Sequence, residues 1–132
     1  MTQLEKNAVW QGTLSLMVLR TSQMEASLAF YRALGFVFVE EKHGTGPVHY
    51  STQIGSSVME IFPGEPAEPL SRKASGAAML GFSVTSVDQI VEAVKSLGAQ
   101  IVTAPTDSPW GRRAVVVDPN GRGIELSEPK KN

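Results

Sequence analysis

The order of apolar and polar positions along the chain predicts the same series of structural elements twice. Residues 13–62 run as a strand, a helix, a glycine and three short strands, and residues 78–128 repeat that order. Side chains alternate between apolar and polar where strands are predicted, and apolar residues recur at every third or fourth position where helices are predicted. A repeat of this length indicates two similar modules, with a cavity between or beneath them as the natural place for a function.

The first module, 13–62, has recognisable start and stop signals. A helix is predicted from the capping box Ser22–Glu25 to about Leu34, and Gly35 follows it as a C-terminal stop. The strands of this module are predicted over 13–20, 36–41, 48–54 and 57–62, and the last two form a hairpin.

The second module, 78–128, repeats those signals. Its helix is predicted to start at the capping box Ser86–Gln89 and to end at Gly98, and it carries the clearest amphipathic stripe in the chain. Strands are predicted over 78–84, 100–103, 113–117 and 123–127, with a loop over 104–111 that carries an exposed Trp110.

Residues 63–77 separate the two modules. Three prolines within seven residues, at positions 63, 66 and 69, interrupt regular structure and predict an extended, stiff connector. We expect residues 1–132 to form a single domain made of the two modules and this connector, since 132 residues suffice for one core.

Composition excludes several classes of function. The net charge of −1 gives no basic field for nucleic acid, and no apolar stretch approaches the ~20 residues that cross a bilayer. The chain has no cysteine, which rules out disulfides, thiolate metal sites and a cysteine nucleophile. We therefore expect a cytoplasmic protein that binds neither nucleic acid nor membrane.

Each module ends in a strand with one glutamate inside an apolar run. Strand alternation turns Met59 and Ile61 toward the helix and Glu60 toward the other face, and the same holds for Glu125 in the second module. In one interpretation the two carboxylates bind a cationic group, a hydrogen-bond donor or a weakly held metal ion. In the other they are strand residues in ion pairs, for which Arg20, Arg112 and Arg113 are available partners.

Four further side chains are candidates for binding or catalysis. Trp110 would stack on a planar ligand or anchor its own loop, and Tyr50 would line the cup-shaped cavity expected between the modules. His49 is a candidate general base but has no carboxylate beside it in sequence, and His43 precedes a glycine loop and is expected to be exposed. These residues do not assign a reaction, so catalytic residues stay unassigned at this stage.

Two segments resemble the vicinal-oxygen-chelate superfamily, which includes glyoxalase I, extradiol dioxygenases, fosfomycin-resistance enzymes and bleomycin-resistance proteins. The first is SLAFYRALGF at 27–36, which looks like the first-helix signature of the family. The second is the closing hairpin, with WG at 110–111, VDPNG at 117–121 and IEL at 124–126. The resemblance implies an α+β fold in which two βαβββ modules form a curled, mixed-sheet cup, and it implies a homodimer.

The resemblance also implies where a metal would bind. Metal enzymes of this family take one ligand, commonly histidine, from the first strand of each module and one, commonly glutamate, from the last. The last-strand positions here are Glu60 and Glu125, but the first-strand positions are Leu16 and Met79. Leucine has no donor atom and a thioether is too soft for a hard divalent ion, so no cofactor and no metal are expected.

The favoured hypothesis is a bleomycin-resistance-like protein that binds a small aromatic or cationic molecule in the cup, without the usual metal. Its expected ligand-binding residues are Leu16, Tyr50, Glu60, Met79, Trp110 and Glu125. The alternative is a lyase, isomerase or dioxygenase resembling glyoxalase I, with Zn²⁺, Ni²⁺, Mn²⁺ or Fe²⁺ held by Glu60 and Glu125 and completed by His49 or water.

Overall fold

The computed structural model describes residues 12–65 and 79–130, so most of the predicted connector at 63–77 lies outside the described residues. The elements of the first module are β1 (Leu16–Thr21), α1 (Met24–Ala33), β2 (Val39–Glu41), β3 (His49–Ile54) and β4 (Ser57–Pro63). Those of the second are β5 (Leu80–Ser83), α2 (Val87–Ser96), β6 (Ile101–Ser108), β7 (Gly111–Val117) and β8 (Gly123–Pro129).

Each module contributes one four-stranded mixed sheet. The strand order is β1-β4-β3-β2 in sheet A and β5-β8-β7-β6 in sheet B. In both sheets the first and last strands of the module pair in parallel, and the other pairs are antiparallel. The predicted α+β class with two βαβββ modules is confirmed. Over 12–65 and 79–130 the two sheets stay separate and do not close on each other.

Strand alternation gives each sheet two different faces. The helix-covered face is fully apolar at its centre, where Met59 and Ile61 of β4 and Ile124 and Leu126 of β8 are buried. Burying an apolar side chain of this size stabilises a fold by about 1.5–3 kcal/mol. We call the opposite side of each sheet its open face; on it lie Leu16, Val18, Val39, Glu41, His49, Ser51 and Glu60 of sheet A, and Gly81, Ser83, Arg113 and Glu125 of sheet B.

The two modules pack against each other through their helix-covered sides. Buried residues of α1, β4, α2 and β8 belong to one continuous apolar cluster. Tyr31 of α1 makes an edge contact with Phe82 of β5, with ring centroids 6.4 Å apart, and Phe36 makes another at 5.1 Å. The helix-covered faces thus meet within one chain, and the two open faces lie on the outside of this shared core.

The serine cap of one of the two predicted capping boxes forms. Ser86 caps α2, and its hydroxyl accepts a hydrogen bond from the backbone N–H of Gln89. The capping box at Ser22 is wrong, because α1 begins one residue later and Gln23 is its N-cap, without a side-chain bond. The segment before α1 is held by Thr21, which is buried at the end of β1. Its hydroxyl accepts a hydrogen bond from the backbone N–H of Gln23 at 2.9 Å.

The predicted loop at 104–111 is also wrong. β6 continues through this segment to Ser108 and leaves only a tight turn before β7. β6 is an edge strand, where the missing N–H of Pro105 breaks no ladder, and its register shifts twice along β7. The predicted strand at 36–41 is shortened to Val39–Glu41, the residues that pair with β3.

Gly111 closes the turn that carries Trp110, and alanine there should destabilise the fold by about 3 kcal/mol. Its φ is +133°, and a Cβ at this position would overlap the backbone carbonyl oxygen of Glu128. Gly98→Ala is the matched control, since Gly98 has φ +90° with open space around it and should cost only about 1 kcal/mol. Urea denaturation of both variants measures the difference; equal losses would contradict the steric overlap.

Neither helix in the described part of the chain is long and apolar enough to span a membrane.

Candidate functional site

Glu60 lies on the open face of sheet A, as its position in the alternation predicts. Its neighbours across the sheet are Val18 on β1 and Ser51 on β3. The carboxylate oxygen Oε2 lies 3.4 Å from Nε2 of His49. Within 12–65 and 79–130, no lysine or arginine forms an ion pair with Glu60, so this carboxylate remains available to a partner other than arginine.

His49 is the most enclosed polar side chain on this face, with 2% of its surface exposed. Its ring stacks on Phe62 of β4, with centroids 4.1 Å apart and planes 8° from parallel. Nδ1 lies 3.2 Å from the carbonyl oxygen of Pro47, while Nε2 is buried and has no hydrogen-bond partner within the described part of the chain. A nitrogen in that position costs about 1–3 kcal/mol unless something else binds it.

Two more side chains approach His49 from β2. Glu41 is its register partner on that strand, and His43 follows two residues later. His43 Nε2 lies 3.5 Å from Glu41 Oε2, and the two histidine rings are 5.2 Å apart. Glu41 also accepts a hydrogen bond from the hydroxyl of Ser51. One potential ligand atom from each of Glu41, His43 and His49 lies within 4.8 Å of the others.

The open face of sheet B presents a different arrangement around Glu125. Arg113 Nε donates to Glu125 Oε1 at 2.9 Å, so the ion-pair interpretation is confirmed for this glutamate. Both side chains line a cleft of about 660 Å³ that Trp110 borders. Trp110 is 83% exposed on the turn between β6 and β7, as its loop position predicted.

The predicted apolar residues Leu16 and Met79 are each about half exposed. Leu16 lies on the open face of sheet A, two residues before Val18, and Met79 directly precedes β5 at the position that alternates with Gly81. The parallel register places Val18 beside Glu60 and Gly81 beside Glu125. The first-strand neighbours of the two glutamates therefore supply no ligand atom from their side chains either.

Tyr50 does not lie with the other candidates. It pairs with Ile61 on β4 and packs against the apolar cluster on the helix-covered face, and its hydroxyl donates to Glu40 at 3.0 Å. This hydrogen bond to Glu40 raises the pKa of the Tyr50 hydroxyl, because it stabilises the protonated form. The expectation that Tyr50 lines the cup is corrected by the register between β3 and β4, in which Ser51, not Tyr50, shares a face with Glu60.

A larger cleft, of about 720 Å³, lies at the seam between the modules beside α1 and the turn at 118–121. Two hydrogen bonds join the modules here: Gln23 Nε2 donates to the carbonyl oxygen of Pro119, and Ser27 donates to Asn120 Oδ1. Behind it, buried Asp118 accepts from the hydroxyl of Tyr31 at 2.7 Å. Burial, followed by the Asp118 charge, raises the pKa of Tyr31 well above its usual value. These bonds join the modules, so we assign the seam a structural role.

Sequence reasoning identified Glu60, Glu125, Trp110, Leu16 and Met79 as residues outside the core, but it missed the cluster around His49. Glu41 and Glu60 come from strands on either side of β3, so their approach depends on antiparallel register. The available signal was parity, since His49, Ser51 and Glu41 share a face once β2 and β3 are paired.

Comparison with known proteins gives relatives that extend over nearly the whole chain. An uncharacterised protein of Mycolicibacterium smegmatis is 29% identical over 116 residues, which cover 88% of this chain and 93% of that protein. The structure of TnmS3, an antibiotic-binding protein from Streptomyces sp. CB03234, is similar with a TM-score of 0.67 and 22% identity, over 91% of this chain and 98% of that one. The structure of the fosfomycin resistance protein FosX from Mesorhizobium loti is similar with a TM-score of 0.66 and 19% identity, over 89% of this chain and 92% of that one.

At these identities the two solved structures establish the fold alone. The family is established by sequence: residues 13–126 match the model that describes the Glyoxalase/Bleomycin resistance protein/Dioxygenase superfamily. That match includes both modules, both helices and both strands that carry Glu60 and Glu125. The chain therefore belongs to the glyoxalase/bleomycin resistance protein/dioxygenase superfamily.

Proposed function

We propose that this protein binds a small, planar aromatic molecule and holds it without chemical conversion. The cup would form between the open face of sheet A in one chain and the open face of sheet B in a second chain. The observation that carries this proposal is the exposure of large apolar side chains on the open faces, beside Glu60, which has no arginine partner in the described part of the chain.

What a single chain leaves uncovered supports a homodimer. Leu16 and Val18 on β1 and Val39 on β2 lie on the open face of sheet A, at its two opposite edges, and are each at least 41% exposed. The adjoining pair Leu16 and Val18 suits an interface or a ligand groove, where such apolar surface is covered. The helix-covered faces already meet within one chain, so an open face can be covered by a second copy of the chain.

The residues on the two faces suit an aromatic ligand with a hydrogen-bond donor or a positive charge. Trp110 offers a flat exposed ring for stacking, and Leu16 and Met79 offer apolar contacts. Glu60 would accept a hydrogen bond or pair with a cationic group, while Arg113 already neutralises Glu125. TnmS3 is described as an antibiotic-binding protein, which supports binding without turnover as a use of this fold.

The competing proposal is a metal-dependent lyase, isomerase or dioxygenase, which is supported by the matched superfamily, since its description includes glyoxalase and dioxygenase. It would require Glu60 and Glu125 to share one ion. Arg113 bonded to Glu125 argues against that arrangement, as do the donor-free neighbours Val18 and Gly81. We therefore favour binding over catalysis.

A fluorescence titration with ethidium, a planar aromatic cation, and with phenanthridine, its uncharged counterpart, tests the proposal. We expect saturable binding of both, tighter for ethidium, with no new species by mass spectrometry after prolonged incubation. Trp110→Ala should weaken binding about tenfold through lost stacking. Leu97→Ala, in the seam cleft, is the control and should leave affinity unchanged. A loss of affinity at Leu97 alone would move the site to the seam, and chemical conversion of the ligand would contradict the proposal.

A further inference from the structure

We propose that Glu41, His43 and His49 bind a divalent transition-metal ion, Zn²⁺ foremost, on the open face of sheet A, with Glu60 placed to supply a fourth ligand. This site uses β2, β3 and the segment after β2. It shares Glu60 with the glutamate pair discussed above but does not involve Glu125 or sheet B.

The hydrogen bonding of His49 leaves a ligand atom free and oriented. Nδ1 lies 3.2 Å from the carbonyl oxygen of Pro47, which can only accept, so Nδ1 carries the proton. In the neutral ring Nε2 then holds the lone pair, and it is this nitrogen that is buried without a hydrogen-bond partner among the residues that the structure describes. Metal-binding histidines usually donate one ring N–H to a backbone carbonyl or a carboxylate while the other nitrogen faces the metal.

The surrounding side chains have suitable types and spacing. Imidazole and carboxylate together suit Zn²⁺ and its neighbours in the first transition row. Donor atoms at about 2.0–2.2 Å from one tetrahedral Zn²⁺ lie about 3.3–3.6 Å from each other. Glu41, His43 and His49 each have a donor atom within 4.8 Å of the others, and Glu60 Oε2 is 3.4 Å from His49 Nε2. The three donor atoms would have to approach one another by up to about 1.5 Å, and the 73% exposed side chain of His43 is free to move. Glu60 lies outside that group of three, so its side chain would have to rotate to complete the site.

Charge also favours a cation here. Glu41 and Glu60 both approach His49, and no arginine or lysine pairs with either carboxylate within 12–65 and 79–130. A divalent ion would balance the two carboxylates. The competing explanation is that His49 is protonated on both nitrogens and pairs with Glu60 directly, in which case no metal is needed.

Zn²⁺ titration of the untagged full chain by isothermal calorimetry, after removal of metal with a chelator, tests the site directly. We expect one Zn²⁺ per chain and, with Co²⁺ as the probe, a visible absorption band of a low-coordinate site. His43→Ala should lower the Zn²⁺ affinity at least about tenfold, since losing even a residue that only hydrogen-bonds to a metal ligand lowers affinity by that much. Because the sequence holds two histidines and no cysteine, a nitrogen-ligated Zn²⁺ has no other place to bind.

Glu40→Gln is the control. It removes a carboxylate one residue from Glu41, on the opposite face of the sheet, and should leave Zn²⁺ affinity unchanged. Because His43 is exposed, its loss should not unfold the protein. Absence of Zn²⁺ binding to the wild type, or equal affinity in His43→Ala, would overturn the site. So would a histidine NMR spectrum that shows His49 doubly protonated at neutral pH and unchanged by Zn²⁺. No organic ligand is present in these experiments, so their failure leaves the proposed binding function standing.

Discussion

Asp118→Asn should lower the free energy of unfolding by about 3–5 kcal/mol, because it breaks a buried ion pair and leaves the arginine uncompensated. The Asp118 carboxylate is 4% exposed and accepts four hydrogen bonds: from the hydroxyl of Tyr31, the backbone N–H groups of Asn120 and Arg122, and the guanidinium of Arg122. An asparagine amide has one acceptor oxygen and an NH₂ group that would face donors. Since Tyr31 belongs to the first module and Arg122 to the second, the loss should loosen the seam. Urea denaturation with a common slope measures it.

Asp107→Asn is the matched control for this change. Asp107 also pairs with an arginine, Arg112, at 3.0 Å, but its side chain is largely exposed, so the same substitution should cost under about 1 kcal/mol. Tyr31→Phe should fall between the two, since it removes one bond to Asp118 and leaves the pair with Arg122. If Asp118→Asn cost no more than Asp107→Asn, the seam would not depend on this network.

Val18→Asp should weaken the proposed homodimer at least about 100-fold and abolish ligand binding, while the chain stays folded. Val18 lies beside Glu60 on the open face of sheet A and is about 41% exposed in the single chain. The substitution is therefore tolerable in a monomer. Across an interface it would bury an unpaired carboxylate next to an existing one, at a cost of several kcal/mol. Analytical ultracentrifugation over a range of concentrations measures the dissociation constant.

Val37→Asp is the control for the dimer experiment. Val37 is more exposed than Val18 and lies outside both sheets, between α1 and β2, so it should leave assembly unchanged. A wild-type chain that stays monomeric at all concentrations, or a Val18→Asp variant that dimerises normally, would contradict a cup shared between chains.

Most of the fold was predictable from the sequence because the signals for strands, helices and turns are local. Apolar alternation located the strands, and the glycines after each helix appear with positive φ, +103° at Gly35 and +90° at Gly98. The failures have physical causes in three dimensions. Thr21, which ends β1, accepts a hydrogen bond from the backbone N–H of Gln23, and Gln23 rather than Ser22 is the N-cap of α1. Pro105 is tolerated because β6 lies at a sheet edge.

The candidate site was predictable only as far as strand parity reaches. Parity placed Glu60 and Glu125 opposite the helices, but it could not show that Glu125 binds Arg113 while Glu60 meets His49. Those contacts depend on which strands pair and in which register, which is set by the whole sheet. Nor could it show that the helix-covered faces of the two modules would join within one chain, which leaves the open faces outside the shared core.

Mixing two defective variants tests most directly whether the cup joins sheet A of one chain to sheet B of another. Glu60→Arg disables the contribution of sheet A and Trp110→Ala that of sheet B, so each variant alone should bind ethidium weakly. After subunit exchange at equal amounts, random pairing should restore full affinity in about a quarter of the cups, because each mixed dimer holds one cup with both residues intact. A titration that shows only the weak binding of the two separate variants would mean that each site lies within one chain and would contradict the shared cup.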